Sequence, residues 1–112
     1  MRFIMMYKPD RSNAGPPSAE KMAALQRDIG DAKKAGTFVS NGGFMPMVSG
    51  AIVTYANEKN TVTDGPYAEA KEVIGGFAIF DLKSKEEAIE GAKGFLKVMG
   101  GGQVEIRQMY EG

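Results

Sequence analysis

Few residues in this chain combine reactive side chains with a telling setting. Asp64 closes a strand-like run in "TVTDGPYAEAKE" and is followed at once by Gly65 and Pro66. A turn aspartate ordinarily accepts a hydrogen bond from the backbone N–H two residues on, but here that residue is proline, which has none. Proline favours the first position of a helix. Gly65 is then the N-cap of a short helical turn through "PYAEAKE", with Asp64 just outside it. Two roles stay open. The carboxylate can stabilise that helix N-terminus, where a negative charge is worth roughly 0.3–1 kcal/mol, with the Tyr67 N–H or Lys71 as its local partner. Alternatively it faces a cavity as a general base, its proton affinity raised by partial burial. The cationic Lys71 would oppose that rise.

A second constellation lies in the last apolar run, "QVEIRQMY". Side chains alternate between faces along a strand, so Glu105 and Arg107 project to the same side, two residues apart. They either pair with one another or line a polar hollow, where Arg107 would contact an anion; burial without a partner is excluded by its cost. Tyr7 and Tyr67 would bring phenolic hydroxyls to such a hollow, or serve as ordinary amphipathic packing.

What is missing limits the chemistry further. The sequence holds no histidine and no cysteine, which removes the usual near-neutral acid/base, the thiolate nucleophile, disulfides and the common metal ligands. No carboxylate spacing announces a metal site, and the glycine clusters match no dinucleotide or phosphate-loop pattern, so neither metal nor cofactor is expected. Basic and acidic residues balance at 14 each, leaving no excess positive charge for a phosphate backbone. Nucleic acid is therefore not an expected ligand. No apolar run approaches the length needed to span a bilayer, and the opening "MRFIMMYKPD" turns polar too soon for a signal peptide. A cytoplasmic, non-membrane protein is expected.

The elements that must position these residues follow from periodicity. "RFIMMYK" (2–8) reads as a buried strand ended by Pro9 and Asp10. Met22, Leu25, Ile29 and Ala32 recur at helical spacing, with Ser18 as N-cap and Gly36 beyond the end, predicting a helix over 19–35. "TFVSNGGF" is a strand expected to loosen at Asn41-Gly42-Gly43 through a bulge or a close backbone approach. Runs 51–56 and 61–63 form a hairpin around "NEKN". "GGFAIFDL" is another strand. Ser84 and Glu87 form a capping box for a helix whose stripe is Ala88, Ile89, Ala92, Phe95, Leu96 and Met99, ended by the glycines at 100–102. Met22 and Met99 are expected to fill the core.

Strand, helix, strand, hairpin, strand, helix, strand is the ferredoxin-like split βαβ order with an added hairpin, an α+β fold with helices on one face of an antiparallel sheet. "FIMMY" and "GFAIF" are apolar on both alternating sets, so the second face also needs cover. Residues 1–112 are read as one domain, and a homodimer packed sheet to sheet is the simplest source of that cover.

The residues also resemble a family. "TVTDGPYAEAKEVIGGFAIFDLKSKEEAIEGAK", followed by "GGQVEIRQMY", is similar to the YCII-related proteins of the DGPF type, filed beside PhnB-like sequences. Tyr67 stands where that family usually has phenylalanine, Ala70 where it has threonine and Gln108 where it has proline. The resemblance implies a ferredoxin-like, dimeric α/β barrel with a small-molecule cleft near the dimer interface. Asp64 matches the aspartate of the DGP turn. Some related proteins use a His-Asp pair, which this histidine-free chain cannot complete, and one branch removes chloride from a chlorinated hydroxyquinol. Other members accompany extracytoplasmic-function sigma factors. Two functions are thus expected: a small-molecule site with lyase-type acid/base chemistry at Asp64, or a non-catalytic accessory or regulatory role linked to transcription.

Overall fold

The computed structural model describes residues 1–10, 16–46, 49–65 and 74–111. Among these the elements run β1 (Arg2–Lys8), α1 (Ala19–Ala35), β2 (Phe38–Gly43), β3 (Ala51–Ala56), β4 (Lys59–Asp64), β5 (Gly76–Asp81), α2 (Lys85–Met99) and β6 (Gln103–Met109). The main sheet is antiparallel with strand order β2-β5-β1-β6, and β3 and β4 form a separate two-stranded sheet. The first strand lies inside, flanked by the strand before α2 and the strand after it. This is the ferredoxin-like α+β arrangement.

The register divides the sheet into two faces. Phe3 pairs with Phe80 and Gln108, Met5 with Ala78 and Ile106, and Tyr7 with Gly76 and Val104. Residues opposite one another in an antiparallel ladder share a face. Phe3 is 2% exposed, and the Tyr7 ring meets Phe95 of α2 edge-on at 4.9 Å. Odd-numbered β1 residues therefore point at the helices. Ala88, Ala92 and Met99 of α2 close this small core, and Phe38 and Phe80 extend it toward β2, with ring centroids 6.1 Å apart. The opposite face, which no described helix covers and which is called the open face below, carries Arg2, Ile4, Met6 and Lys8 beside Phe77, Ile79, Asp81, Glu105, Arg107 and Met109. β1 is accordingly less enclosed than its apolar sequence suggests: Phe3 alone is fully buried, and the even set is only half covered.

Both helices begin where capping chemistry predicts. The Ser18 hydroxyl accepts from the Lys21 N–H at 3.2 Å, and the Ser84 hydroxyl accepts from the Glu87 N–H at 3.2 Å. The return bond of the second box shifts by one residue, because the Glu87 carboxylate accepts from the Lys83 N–H rather than from Ser84. Met99 is buried as expected, whereas Met22 is 41% exposed. α1 rests on α2 and on the edge strand β2 and buries none of its residues fully, so its apolar stripe has a half-finished cover.

Two local expectations shift. β2 stays paired through Gly43, and its bulge falls between Phe38 and Ser40, ahead of the glycines. The close approach is nevertheless real at Gly42, where a Cβ would sit 2.9 Å from the Phe77 ring. The hairpin turn is Asn57-Glu58 alone, with φ of 53° and 61°, so Lys59 and Asn60 belong to β4. Such a two-residue turn needs positive φ at both positions. A glutamate is an unusual occupant there, and the sequence therefore reads as a longer loop.

Every residue of β3 and β4 is exposed. The Cα radius of gyration is 16.0 Å, against roughly 13 Å for a compact chain of this length. The hairpin strands pair with one another and with no strand of the main sheet, so the hairpin forms a separate arm.

Candidate functional site

The open sheet face is organised by charge at its ends. At one end the Arg2 guanidinium donates to both Asp81 carboxylate oxygens, at 2.8 and 3.0 Å. At the other, Lys8 donates to Glu105 at 3.0 Å, while Arg107 approaches the second Glu105 oxygen at 3.9 Å. Between them lie Ile4, Met6, Phe77 and Ile79. The hydrogen bond from Arg2 holds the Asp81 carboxyl below its ordinary proton affinity, with partial burial opposing the shift. The hydrogen bond and then the charge of Lys8 hold Glu105 below its ordinary value, with a smaller contribution from Arg107. An acid held ionised in this way anchors a cation and makes a poor proton acceptor.

Glu105 and Arg107 thus share a face, as alternation requires. The main partner of Glu105 is Lys8, which sequence reasoning missed. The signal available was a lone lysine ending an apolar strand, a position that demands a carboxylate nearby. The side chain of Arg107 is 71% exposed and the least tightly held cation on this face.

Tyr7 does not join them. Its ring points into the helix layer and its hydroxyl donates to the Gly101 carbonyl at 3.1 Å. With alternating side chains, Tyr7 and Glu105 lie on opposite faces, so Tyr7 packs and caps the glycine turn and offers no hydroxyl to a hollow around Arg107.

Asp64 is the last residue of β4, opposite Ala51, and it is exposed. The Gly65 N–H donates to the Gly50 carbonyl at 3.0 Å and closes the base of the hairpin. Among the described residues the Asp64 carboxylate has no hydrogen bond or ion pair. The expected short helix through "PYAEAKE", with Tyr67 and Lys71, lies outside the described residues. Within one chain Asp64 stands on a different sheet from Glu105, Arg107 and Tyr7.

The face on which Asp64 stands is informative. Register places Ala51, Val53, Tyr55, Asn60, Val62 and Asp64 on one side of the hairpin, and Ile52, Thr54, Ala56, Lys59, Thr61 and Thr63 on the other. The first side is apolar and open, with Val53, Tyr55 and Val62 at 65%, 68% and 61% exposure. At the root of the arm, Phe44 and Met45 are exposed as well, and Phe44 tilts against Phe77 of the open sheet face at 5.9 Å. Phe44 thus extends the apolar open face to the point where the chain leaves the sheet for the arm.

A shallow depression of about 310 Å³ lies on the helix side, lined by Ser18, Glu20, Lys21, Ala24, Arg27 and Val98. It contains none of the candidate residues, and its lysine is engaged with the Met99 carbonyl at 2.9 Å. Among the described residues no group of three His, Cys, Asp or Glu side chains converges, and no helix is long and apolar enough to cross a membrane.

Sheet order, helix placement and the projecting hairpin define a ferredoxin-like α+β protein of small size. The chain belongs to the YCII-related domain family, which it matches over residues 1–111. It is 32% identical over 72 residues to the uncharacterized protein R00369 of Rhizobium meliloti (strain 1021), a match covering 64% of this chain and 56% of that one. The chain thus spans little more than half the length of that relative. In fold it is similar to the 5-chloro-2-hydroxyhydroquinone dehydrochlorinase of Burkholderia phenoliruptrix AC1100, solved with 2,5-dihydroxybenzoquinone, at a TM-score of 0.51 and 11% identity. That match covers 100% of this chain and 96% of the other.

Proposed function

We propose that this protein is a homodimer packed through its open sheet face, a dimeric α/β barrel, that binds a small organic molecule in a cleft near the dimer interface. Asp64 acts there as general base in lyase-type chemistry, taking a proton from the substrate as an anionic leaving group departs. Arg107, held by Glu105, is the anion contact. Tyr67 and Lys71, on the chain that follows Asp64, complete the proposed set. The observation that carries the reading is the exposed Asp64 carboxylate, which no described residue engages, set on an apolar face. A carboxylate that no described residue engages is available to a ligand. The similar fold that holds a hydroxylated quinone supplies the probe, 2,5-dihydroxybenzoquinone.

Calorimetric titration of that compound into the wild type and into Asp64→Asn tests the reading. Binding should weaken roughly tenfold or more in the variant, since a charge-assisted contact is lost. Melting should move by less than about 2 °C, because the exposed Asp64 side chain loses no contact with a described residue. Unchanged binding, or a loss of many degrees in melting, would assign Asp64 to the hairpin or to the cap instead.

A second reading has its own observation. Val53, Tyr55 and Val62 on one side of the hairpin, and Phe44 and Met45 ahead of it, are large apolar side chains left exposed, as an accessory or regulatory module docking on a protein such as an extracytoplasmic-function sigma factor would require. Stoichiometric copurification with a sigma factor from native cytosol, lost on Tyr55→Ser, is the outcome this reading predicts; purification without any partner protein counts against it.

A further inference from the structure

We infer that the β3–β4 arm of one copy lies against the open sheet face of a second copy, so that Asp64 of one chain and Arg107 of the other form a single site. The inference rests on the homodimer proposed above and adds which residues each copy contributes.

Three observations carry it. A two-stranded hairpin is at best marginally stable alone in water, yet this one keeps its entire apolar side exposed and makes no ladder with the main sheet. It is built to be covered. Phe44, a few residues before the arm in the chain, packs on Phe77 of the open sheet face, so the arm departs from the rim of that face. Charge then selects the occupant. On the open face Arg2 is held by Asp81 and Lys8 by Glu105. The apolar side of the arm holds one charge, Asp64. The loosely held cation on the open face is Arg107, 3.9 Å from Glu105, and it is opposite in sign to Asp64.

Topology makes the meeting possible. The arm follows β2, which is one edge of the sheet, and Arg107 sits on β6, the other edge. When two such sheets stack face to face about a twofold axis parallel to their strands, the β2 edge of each copy lies over the β6 edge of the other. Each arm then reaches the Arg107 edge of the opposite chain, and the dimer closes with two equivalent sites. Burying the Asp64 carboxylate against apolar side chains requires a cation in contact with it, and the second copy brings one.

The test is a charge-reversal cycle read by sedimentation over a concentration series. Asp64→Arg and Arg107→Asp should each weaken the dimer roughly tenfold or more, and the double variant should recover most of that loss, because in it each reversed charge again meets its opposite. Val53→Lys, on the same side of the arm, should also weaken the dimer and serves if Asp64→Arg folds poorly. A wild-type dimer that is indifferent to all three single changes, or a double variant that recovers nothing, overturns the arm while leaving the dimer intact. A wild type that is monomeric at a hundred micromolar overturns the dimer itself.

Discussion

Glycine substitutions of opposite sign test how the charged end of the open face is held in place. Gly102 joins α2 to β6 with φ of +102°, and a Cβ there would sit 2.7 Å from the Lys8 carbonyl oxygen, 3.0 Å from the Tyr7 ring and 3.3 Å from the Pro9 Cα. Two of these neighbours are backbone or tightly bound to it, so they yield little. Forcing an alanine into this φ costs about 1–3 kcal/mol, and displacing β1 backbone adds a similar overpacking cost of about 1–3 kcal/mol. Gly102→Ala should therefore lose about 4 kcal/mol, which for a chain of this length lowers the melting temperature by about 15 °C. Gly94 offers the contrast, since it lies inside α2 with nothing within 4 Å of an added Cβ. Gly94→Ala should gain about 0.5–1 kcal/mol from helix propensity and raise melting by about 2–4 °C. Circular dichroism melts of the two variants beside the wild type are sufficient. A Gly102→Ala protein melting within about 3 °C of wild type would refute the packing argument, which rests on a cost of several times that size.

Acid stability follows from the two ion pairs. Asp81 and Glu105 have folded proton affinities below their ordinary values of 3.8 and 4.5, chiefly through hydrogen bonds from Arg2 and Lys8. The unfolded chain thus takes up these protons first as pH falls, so the pairs contribute fully above the ordinary values and lose their contribution as pH drops through the lower folded ones. Melting should be level from neutrality down to about pH 5 and fall below about pH 4, with the fall shallower in Asp81→Asn/Glu105→Gln; an unchanged acid limb in that variant would contradict it. Both carboxylates are partly exposed, so the effect is small. Ser84→Ala removes the hydroxyl that accepts from the Glu87 N–H and should cost about 1 kcal/mol, or about 4 °C in melting.

The parts of this fold that the sequence made legible are those set by local chemistry. Ser18 and Ser84 begin the helices as expected because capping uses residues within one turn of each other. Alternation likewise put Glu105 and Arg107 on one face. The misses need long-range register. The sequence groups Tyr7 with Arg107 because it does not say which parity of β1 meets the helices, and the packing of Tyr7 on Phe95 decides it. Lys8 reaches Glu105 across a sequence separation of 97 residues, and only the pairing of β1 with β6 reveals it. Met22 has the spacing of a core residue, but α1 sits over the sheet edge and leaves it half covered.

The hairpin shows why Asp64 could nevertheless be placed. A four-residue "NEKN" turn would set Asp64 opposite Val53, whereas the two-residue turn sets it opposite Ala51. The two registers differ by two residues, and a shift of two preserves which side each residue occupies, while a shift of one reverses it. Asp64 therefore stands with Val53, Tyr55 and Val62 under either turn. A carboxylate in an apolar row is costly to cover unless the covering surface carries a cation at the matching point. The amphipathic arm consequently cannot pack on just any apolar surface. It selects one with a single loosely held positive charge at its rim, and the open face beside Arg107 is such a surface.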